Sequence, residues 1–183
     1  IKPGTDGALL MALLHELIAS DRIDHAFLKR FTNAPQLVLV ETGCDREGMF
    51  AHDPDPAKDP PGDGRYPHNK LVLDKSDGTI KAAYPEGIAP GCDPALEGHY
   101  TLADGRRVAP SFQLLRERVA PCTPEWASAI TDIPAARIVK LAHELGTAAF
   151  EQAFELPIPW TDAWGKKHEA TQARPVAFHA MRG

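Results

Sequence analysis

Cysteine is scarce. Cys44, Cys92 and Cys122 are the three in 183 residues, far apart and odd in number, so neither a disulfide framework nor a CxxC motif is available. They read as thiols in a reducing compartment or as small buried residues. No apolar run approaches the length that spans a bilayer. Basic charge is not in excess: the net charge of -5 argues against a general nucleic-acid binder. The two standard phosphate loops, GxGxxG and GxxxxGKS/T, are missing, and so is the nucleophile elbow GxSxG. A zinc-protease helix begins twice, at His15-Glu16 and at His143-Glu144. It fails both times, because Ala19 and Thr147 stand where the second imidazole is needed. Both histidines therefore read as helix-surface or boundary residues.

What remains is ordinary globular material, 43% apolar and 25% charged. Leu9, Leu10, Leu13, Leu14, Leu17 and Ile18 recur at helical spacing and predict a helix over 7–20, with Thr5 or Asp6 as its cap. Asp24 caps a second helix to Phe31, and Leu37 to Val40 is a short strand. Residues 44–69 are crowded with Pro, Asp and Gly and read as an irregular excursion. Two hairpins follow. Lys70–Asp74 and Thr79–Tyr84 flank Asp77-Gly78, and Gly98–Leu102 and Arg106–Ala109 flank Asp104-Gly105. Helices return from Ser111 to Val119, from Glu125 to Ile130 behind Thr123-Pro124, and from Pro134 to Leu145 with Gly146 as the stop. Residues 155–174 read as a loop and Arg174–His179 as a final strand. The pattern is α/β with a β-rich insertion, divided as 1–43, 44–110 and 111–183. The helices at 7–20 and 134–145 are expected to share a core with the final strand.

Chemistry candidates are few. His52, His68 and His99, with Asp53, Asp55, Asp59 and Asp63, match no metal-ligand spacing, and a solvated acidic loop is the better reading. Trp160 and Trp164 suit either a recognition surface or, more commonly, burial that anchors their loop. Pro3-Gly4-Thr5-Asp6 precedes a helix, where free N–H groups favour anions and a carboxylate can accept from a guanine edge. The residues alone favour a plain helix cap there.

Two ordered blocks carry a resemblance. One is IKPGTDGALLMALLHELIASDRIDHAFLKRFTNAP, with Asp24, Phe27 and Thr32 in an Asp-x-x-Phe-x-x-x-x-Thr pattern. The other, PALEGHYTLADGRRVAPSFQLLRERVAPCTPEWASAITDIPAARIVKLAHEL, is followed by the terminal RPVAFHAMRG. Together they resemble the middle of catalytic subunits of the dimethyl sulfoxide reductase family of molybdopterin oxidoreductases. The insertion and the FHAMRG ending resemble the branch acting on sulfur oxyanions, such as sulfite dehydrogenases and thiosulfate or tetrathionate reductases. The resemblance implies a Rossmann-like three-layer piece that holds part of a molybdopterin guanine dinucleotide. It implies Gly4, Thr5 and Asp6 as dinucleotide contacts, with Asp6 facing guanine, and Arg182 and Gly183 in a later pterin-contacting loop.

The family's cysteine cluster motif and molybdenum ligand have no counterpart here, so the fragment is expected to be non-catalytic and free of cofactor by itself. Residue 1 is Ile and the chain ends on a strand running into a loop, so an excised piece is expected. Its partners would be the rest of the same polypeptide, a membrane-anchor subunit and an iron–sulfur electron-transfer subunit, with no nucleic acid. A place on the cytoplasmic side of the membrane is the expectation. Two other readings stand beside this one: a standalone binding module that keeps the fold, and a hydrolase whose site the residues do not reveal.

Overall fold

The computed structural model describes residues 1–43, 45–53, 70–83 and 88–177. Their order is α1 (Asp6–Ala19), α2 (His25–Phe31), β1 (Leu37–Leu39), β2 (Leu71–Leu73), β3 (Ile80–Ala82), β4 (Tyr100–Thr101), β5 (Arg107–Pro110), α3 (Ser111–Val119), α4 (Pro124–Thr131), α5 (Ala135–Phe150), β6 (Phe154–Leu156), β7 (Trp160–Thr161), β8 (Lys167–His168) and β9 (Thr171–Ala173). The class is mixed α/β, as expected. Among the described residues every strand pairing is antiparallel and no barrel closes. The chain divides into two compact units, Ile1–Ile23 with Val119–Gly183, and Asp24–Arg118. These boundaries differ from the changes of composition at 43/44 and 110/111.

The first unit is built on three helices. Ala12 and Leu13 of α1, Ala127 of α4, and Ile138 and Ala142 of α5 form one buried cluster, with Leu9 and Ile133 packed against it. The helices near 7–20 and 134–145 thus share a core, as their periodicity predicts. The leucine stripe of α1 is wider than its cover, because α4 and α5 take only the Leu9–Leu13 side and leave Leu10 and Leu14 exposed. Thr123 caps α4 by accepting from the Trp126 N–H at 3.3 Å, with Pro124 opening the helix.

Gly146 does not stop α5, which runs on to Phe150. This glycine is buried, and a Cβ on it would stand 2.3 Å from Cδ of Arg22. The guanidinium of Arg22 crosses there to pair with Glu151 at 2.6 Å. Glycine at this position serves a close crossing rather than a helix end.

The predicted loop at 155–174 is instead a two-stranded ribbon. Phe154–Leu156 pairs with Thr171–Ala173, and Trp160–Thr161 with Lys167–His168. The turn at its tip uses Gly165 at φ +84°. The predicted final strand does not begin at Arg174, whose guanidinium donates to the carbonyls of Phe150 and Gln152 at 3.1 and 3.2 Å. Residues 174–177 are in no strand, and the rest of that segment lies outside the described residues.

In the second unit both predicted hairpins form. β2 and β3 pair Leu73 with Ile80, and β4 and β5 pair Thr101 with Arg107. Gly78 and Gly105 hold the turns at φ +73° and +87°. β1 joins β5, aligning Leu37 with Pro110. Ala51 then links the two sheets, donating to the Leu37 carbonyl at 2.8 Å and accepting from the Leu71 N–H at 3.1 Å. Leu37, Leu39, Ala51, Leu71, Leu102 and Val108 form the core beneath, with Tyr100 against it. Asp24 caps α2 through the Phe27 N–H at 2.8 Å, as predicted.

Ile138 has no exposed surface and fills the centre of the three-helix cluster. Ile138→Ala is expected to destabilise the chain by about 2–5 kcal/mol, and Ile138→Val by about 0.5–1.5 kcal/mol. Denaturant unfolding checks both. A cost below about 1 kcal/mol for alanine would mean that the helices do not pack through this residue.

Candidate functional site

The turn that enters α1 begins with Gly4, at φ +77°, a left-handed conformation that a side chain resists. No atom lies within 4 Å of where its Cβ would stand, so the backbone there is open to an approaching molecule. The turn closes on Lys2, whose carbonyl accepts from the Thr5 N–H at 3.3 Å and the Thr5 hydroxyl at 2.6 Å. The Lys2 N–H in turn donates to the Thr131 carbonyl at 3.1 Å, tying the turn to the end of α4. Thr5 is the N-cap by position, and its carbonyl accepts from Ala8 and Leu9 at 3.1 and 3.4 Å.

Neither predicted cap acts as one. The Thr5 hydroxyl is turned back to Lys2, and Asp6 is already the first helical residue. The Asp6 side chain is exposed at the positive end of α1, and no hydrogen bond to it is made among the described residues. Gly4, Thr5 and Asp6 therefore share one turn, while Arg182 and Gly183 lie outside the described residues. An open groove of about 910 Å³ runs from Ile1 and Leu9 past Asp132 and Ile133 to Arg137 and Leu141.

His15 meets the Val119 carbonyl through Nδ1 at 3.0 Å, and His143 is an exposed helix residue. His99 pairs with Glu117 at 2.7 Å. The carbonyl of His52 accepts from Arg106 at 3.0 Å. His68, Asp55, Asp59 and Asp63 lie outside the described residues, and among the described residues no cluster has the make-up of a metal site. Trp160 and Trp164 are not burial anchors: they are 46% and 91% exposed. Cys122 is buried and in no disulfide. Partial burial, and then the neighbouring Asp74 carboxylate, push the Cys92 thiol up to about 11, so it is uncharged at neutral pH. Cys44 lies outside the described residues.

One cluster went unread in the sequence. Asp74 is fully buried, yet its carboxylate accepts from the Ser76 N–H at 2.9 Å, the Ser76 hydroxyl at 2.7 Å and the Asp93 N–H at 3.0 Å. The Lys81 ammonium binds its second oxygen and reaches Asp77 at 2.8 Å. These donors, Lys81 first, hold the Asp74 carboxyl far below the usual carboxylate range and hold Lys81 above the usual lysine range. The cluster fixes the β2–β3 turn and the segment at Asp93. The only signal for it was an Asp-x-Ser-Asp-Gly-Thr turn with Lys81 across the hairpin.

Comparison with known proteins places the chain as a whole among its relatives. No protein-family profile matches the chain. Over 184 aligned residues it is 49% identical to a sulfite dehydrogenase subunit of Allochromatium vinosum, covering the whole chain and 18% of that protein. It is 33% identical to the alpha subunit of perchlorate reductase of Dechloromonas aromatica, over 80% of the chain and 18% of that protein. To the dimethyl sulfoxide reductase DmsA of Escherichia coli it is 26% identical, over 93% of the chain and 13% of that protein. The chain thus spans under a fifth of the length of these curated relatives.

The Asp74 cluster generates a test on stability. A carboxyl held below its ordinary value of about 3.9 stabilises the fold above that value and loses its contribution as pH falls through the lower, folded one. Asp74→Asn is expected to lower the Tm of the chain by about 5 °C or more at pH 7. The gap to wild type should stay constant from about pH 5 to 8 and shrink only below about 3.9. Melting curves across pH check this. A gap that closes between pH 5 and 8 would assign the effect to another group.

Proposed function

The chain belongs to the catalytic subunits of the molybdopterin oxidoreductases, and from that premise we propose that it supplies part of the fold that holds a molybdopterin guanine dinucleotide. The observation that carries this reading is the 49% identity to a sulfite dehydrogenase subunit over the entire chain. The bound group would supply a two-electron redox centre at molybdenum, and a small sulfur oxyanion is the substrate class that this relative's name favours. The whole protein would work with a membrane-anchor subunit and an iron–sulfur electron-transfer subunit; two of the relatives are themselves named as single subunits of their enzymes. The segment alone binds and orients, and it carries out no chemistry.

The N-terminal turn fits such a group. Gly4 leaves the backbone approachable, Thr5 spends its hydroxyl on holding the turn, and Asp6 keeps its carboxylate for something other than a cap. A carboxylate can accept two N–H bonds from one guanine edge, while the free amides at the start of α1 favour the nearby negative charge of a nucleotide. Asparagine keeps the shape but presents an NH₂ to a donor, leaving a buried polar group unpaired at a cost of about 1–3 kcal/mol.

Asp6→Asn in the full-length protein is expected to weaken cofactor retention by roughly 5- to 150-fold, read as the nucleotide and molybdenum content of the purified protein. The Tm of the 183-residue chain should hardly change, because an exposed charge in the first turn contributes at most about 0.3–1 kcal/mol. Normal loading of the variant would remove Asp6 from the binding site. A second measurement concerns the chain by itself, for which elemental analysis should find neither molybdenum nor iron in stoichiometric amount; either metal would contradict the reading of this segment as binding fold alone.

A further inference from the structure

The ribbon that follows α5 carries apolar surface but has no core. None of the residues of β6, β7, β8 and β9 is buried. Along it stand Phe154, Ile158, Trp160 and Trp164, with exposures of 43%, 55%, 46% and 91%. Two-stranded hairpins are marginal at best in water and need a packed face to persist. Exposed aromatic side chains gathered on one short element mark a contact surface rather than a solvated one.

The tip is nonetheless built with care. The Trp160 ring stacks on His168 at 4.4 Å and 13°, and its Nε1–H donates to the Ala170 carbonyl at 3.2 Å. The Asp162 carboxylate accepts from the N–H groups of Trp164 and Lys166 at 3.0 and 2.9 Å and meets His168 Nε2 at 3.1 Å. That bond from His168, then those backbone donors, hold the Asp162 carboxyl below its usual range. These bonds fix the turn, and Trp164 stands 91% exposed on it, close in sequence to the exposed Lys166 and Lys167. At the base, Arg174 locks the ribbon to the end of α5.

We propose that residues 154–173 form a docking arm covered by the part of the same polypeptide outside these 183 residues, with Trp164 as the anchoring side chain. This rests on the reading of the chain as a segment of a longer protein. Two observations choose that occupant. The aligned stretch is 18% of the sulfite dehydrogenase subunit, so most of a comparable chain is available to supply the cover. A ribbon with no core of its own also needs a cover that is present whenever the protein is folded. A tethered segment of the same chain meets that need at any concentration, while a separable partner does not. The cover expected is an apolar slot for the indole with carboxylates at its rim, matching Lys166 and Lys167.

The test uses the full-length protein purified without partner subunits, digested briefly with trypsin under native conditions. The peptide bonds after Lys166 and Lys167 are followed by mass spectrometry. Protection is expected in wild type and in Trp164→Phe, with cleavage at least tenfold faster in Trp164→Ala. Circular dichroism on the alanine variant confirms that the protein still folds. Cleavage of wild type as fast as Trp164→Ala overturns the proposal, as does protection that arises only on adding partner subunits, which would move the cover to a partner. Cofactor content on the same samples separates this from the Asp6 reading. An exposed arm in a loaded protein counts against the arm alone, and a protected arm in an unloaded wild-type protein counts against the cofactor reading alone.

Discussion

The close approach of α1, α4 and α5 through small side chains is the constraint on which the first unit depends. Ala12, Ala127 and Ala142 let the helix backbones come together, and Ile138 fills the remaining space. That approach sets where α4 ends. Thr131, fully buried, bonds its hydroxyl back to the Ala127 carbonyl at 2.8 Å and accepts from the Ile133 N–H at 3.2 Å, turning the chain towards α5. Its backbone carbonyl is then left for Lys2. The turn at Gly4 is thus held by the bundle, and the exposure of the Asp6 carboxylate follows from the packing of residues far from it in sequence.

The second unit is held differently. Its strands are two to four residues long, too short to be stable in pairs, and the segment around Ala51 ties the two sheets together, with Ala51 bonded to both and Phe50 and His52 bridging to Val38 and Lys70. Beyond that apolar layer a buried carboxylate does the tying. Asp74 is kept charged by four donors, which offsets the desolvation that would otherwise exclude a carboxylate from the interior. The first unit owes its shape to packing volume, and this hairpin owes its shape to matched charge.

The helices and hairpins were legible because each has a local cause. Asp24 and Thr123 cap, Pro124 opens a helix, and Gly78 and Gly105 supply positive φ, all within a few residues of the elements they shape. The misreadings share a different property. Gly146 looked like a stop because the side chain that needs its space, that of Arg22, belongs to a distant part of the chain. The 155–174 stretch looked like a loop because Pro157 and Pro159 interrupt any alternation, yet they fall between paired strands rather than inside them. Asp74 went unnoticed because its burial is a tertiary fact: a single aspartate in a turn reads as solvated until Lys81 and Asp93 are seen to close over it.

By itself, the sequence determined the mixed class, the family resemblance and the three residues of the N-terminal turn, since ordered motifs and local propensities act between near neighbours. The tertiary structure decided what those residues are free to do. Thr5 and Asp6 are equivalent cap candidates on propensity alone, and only the folding of the turn onto Lys2 and Thr131 commits the Thr5 hydroxyl and leaves the Asp6 carboxylate exposed. Trp160 and Trp164 likewise suit burial or display in a linear sequence, and burial is the commoner use. The ribbon settles the matter by pairing its backbone groups while burying none of its strand residues. Hydrogen bonding between strands is satisfied there within the ribbon, whereas removing aromatic surface from water requires a second layer, and among the described residues there is none.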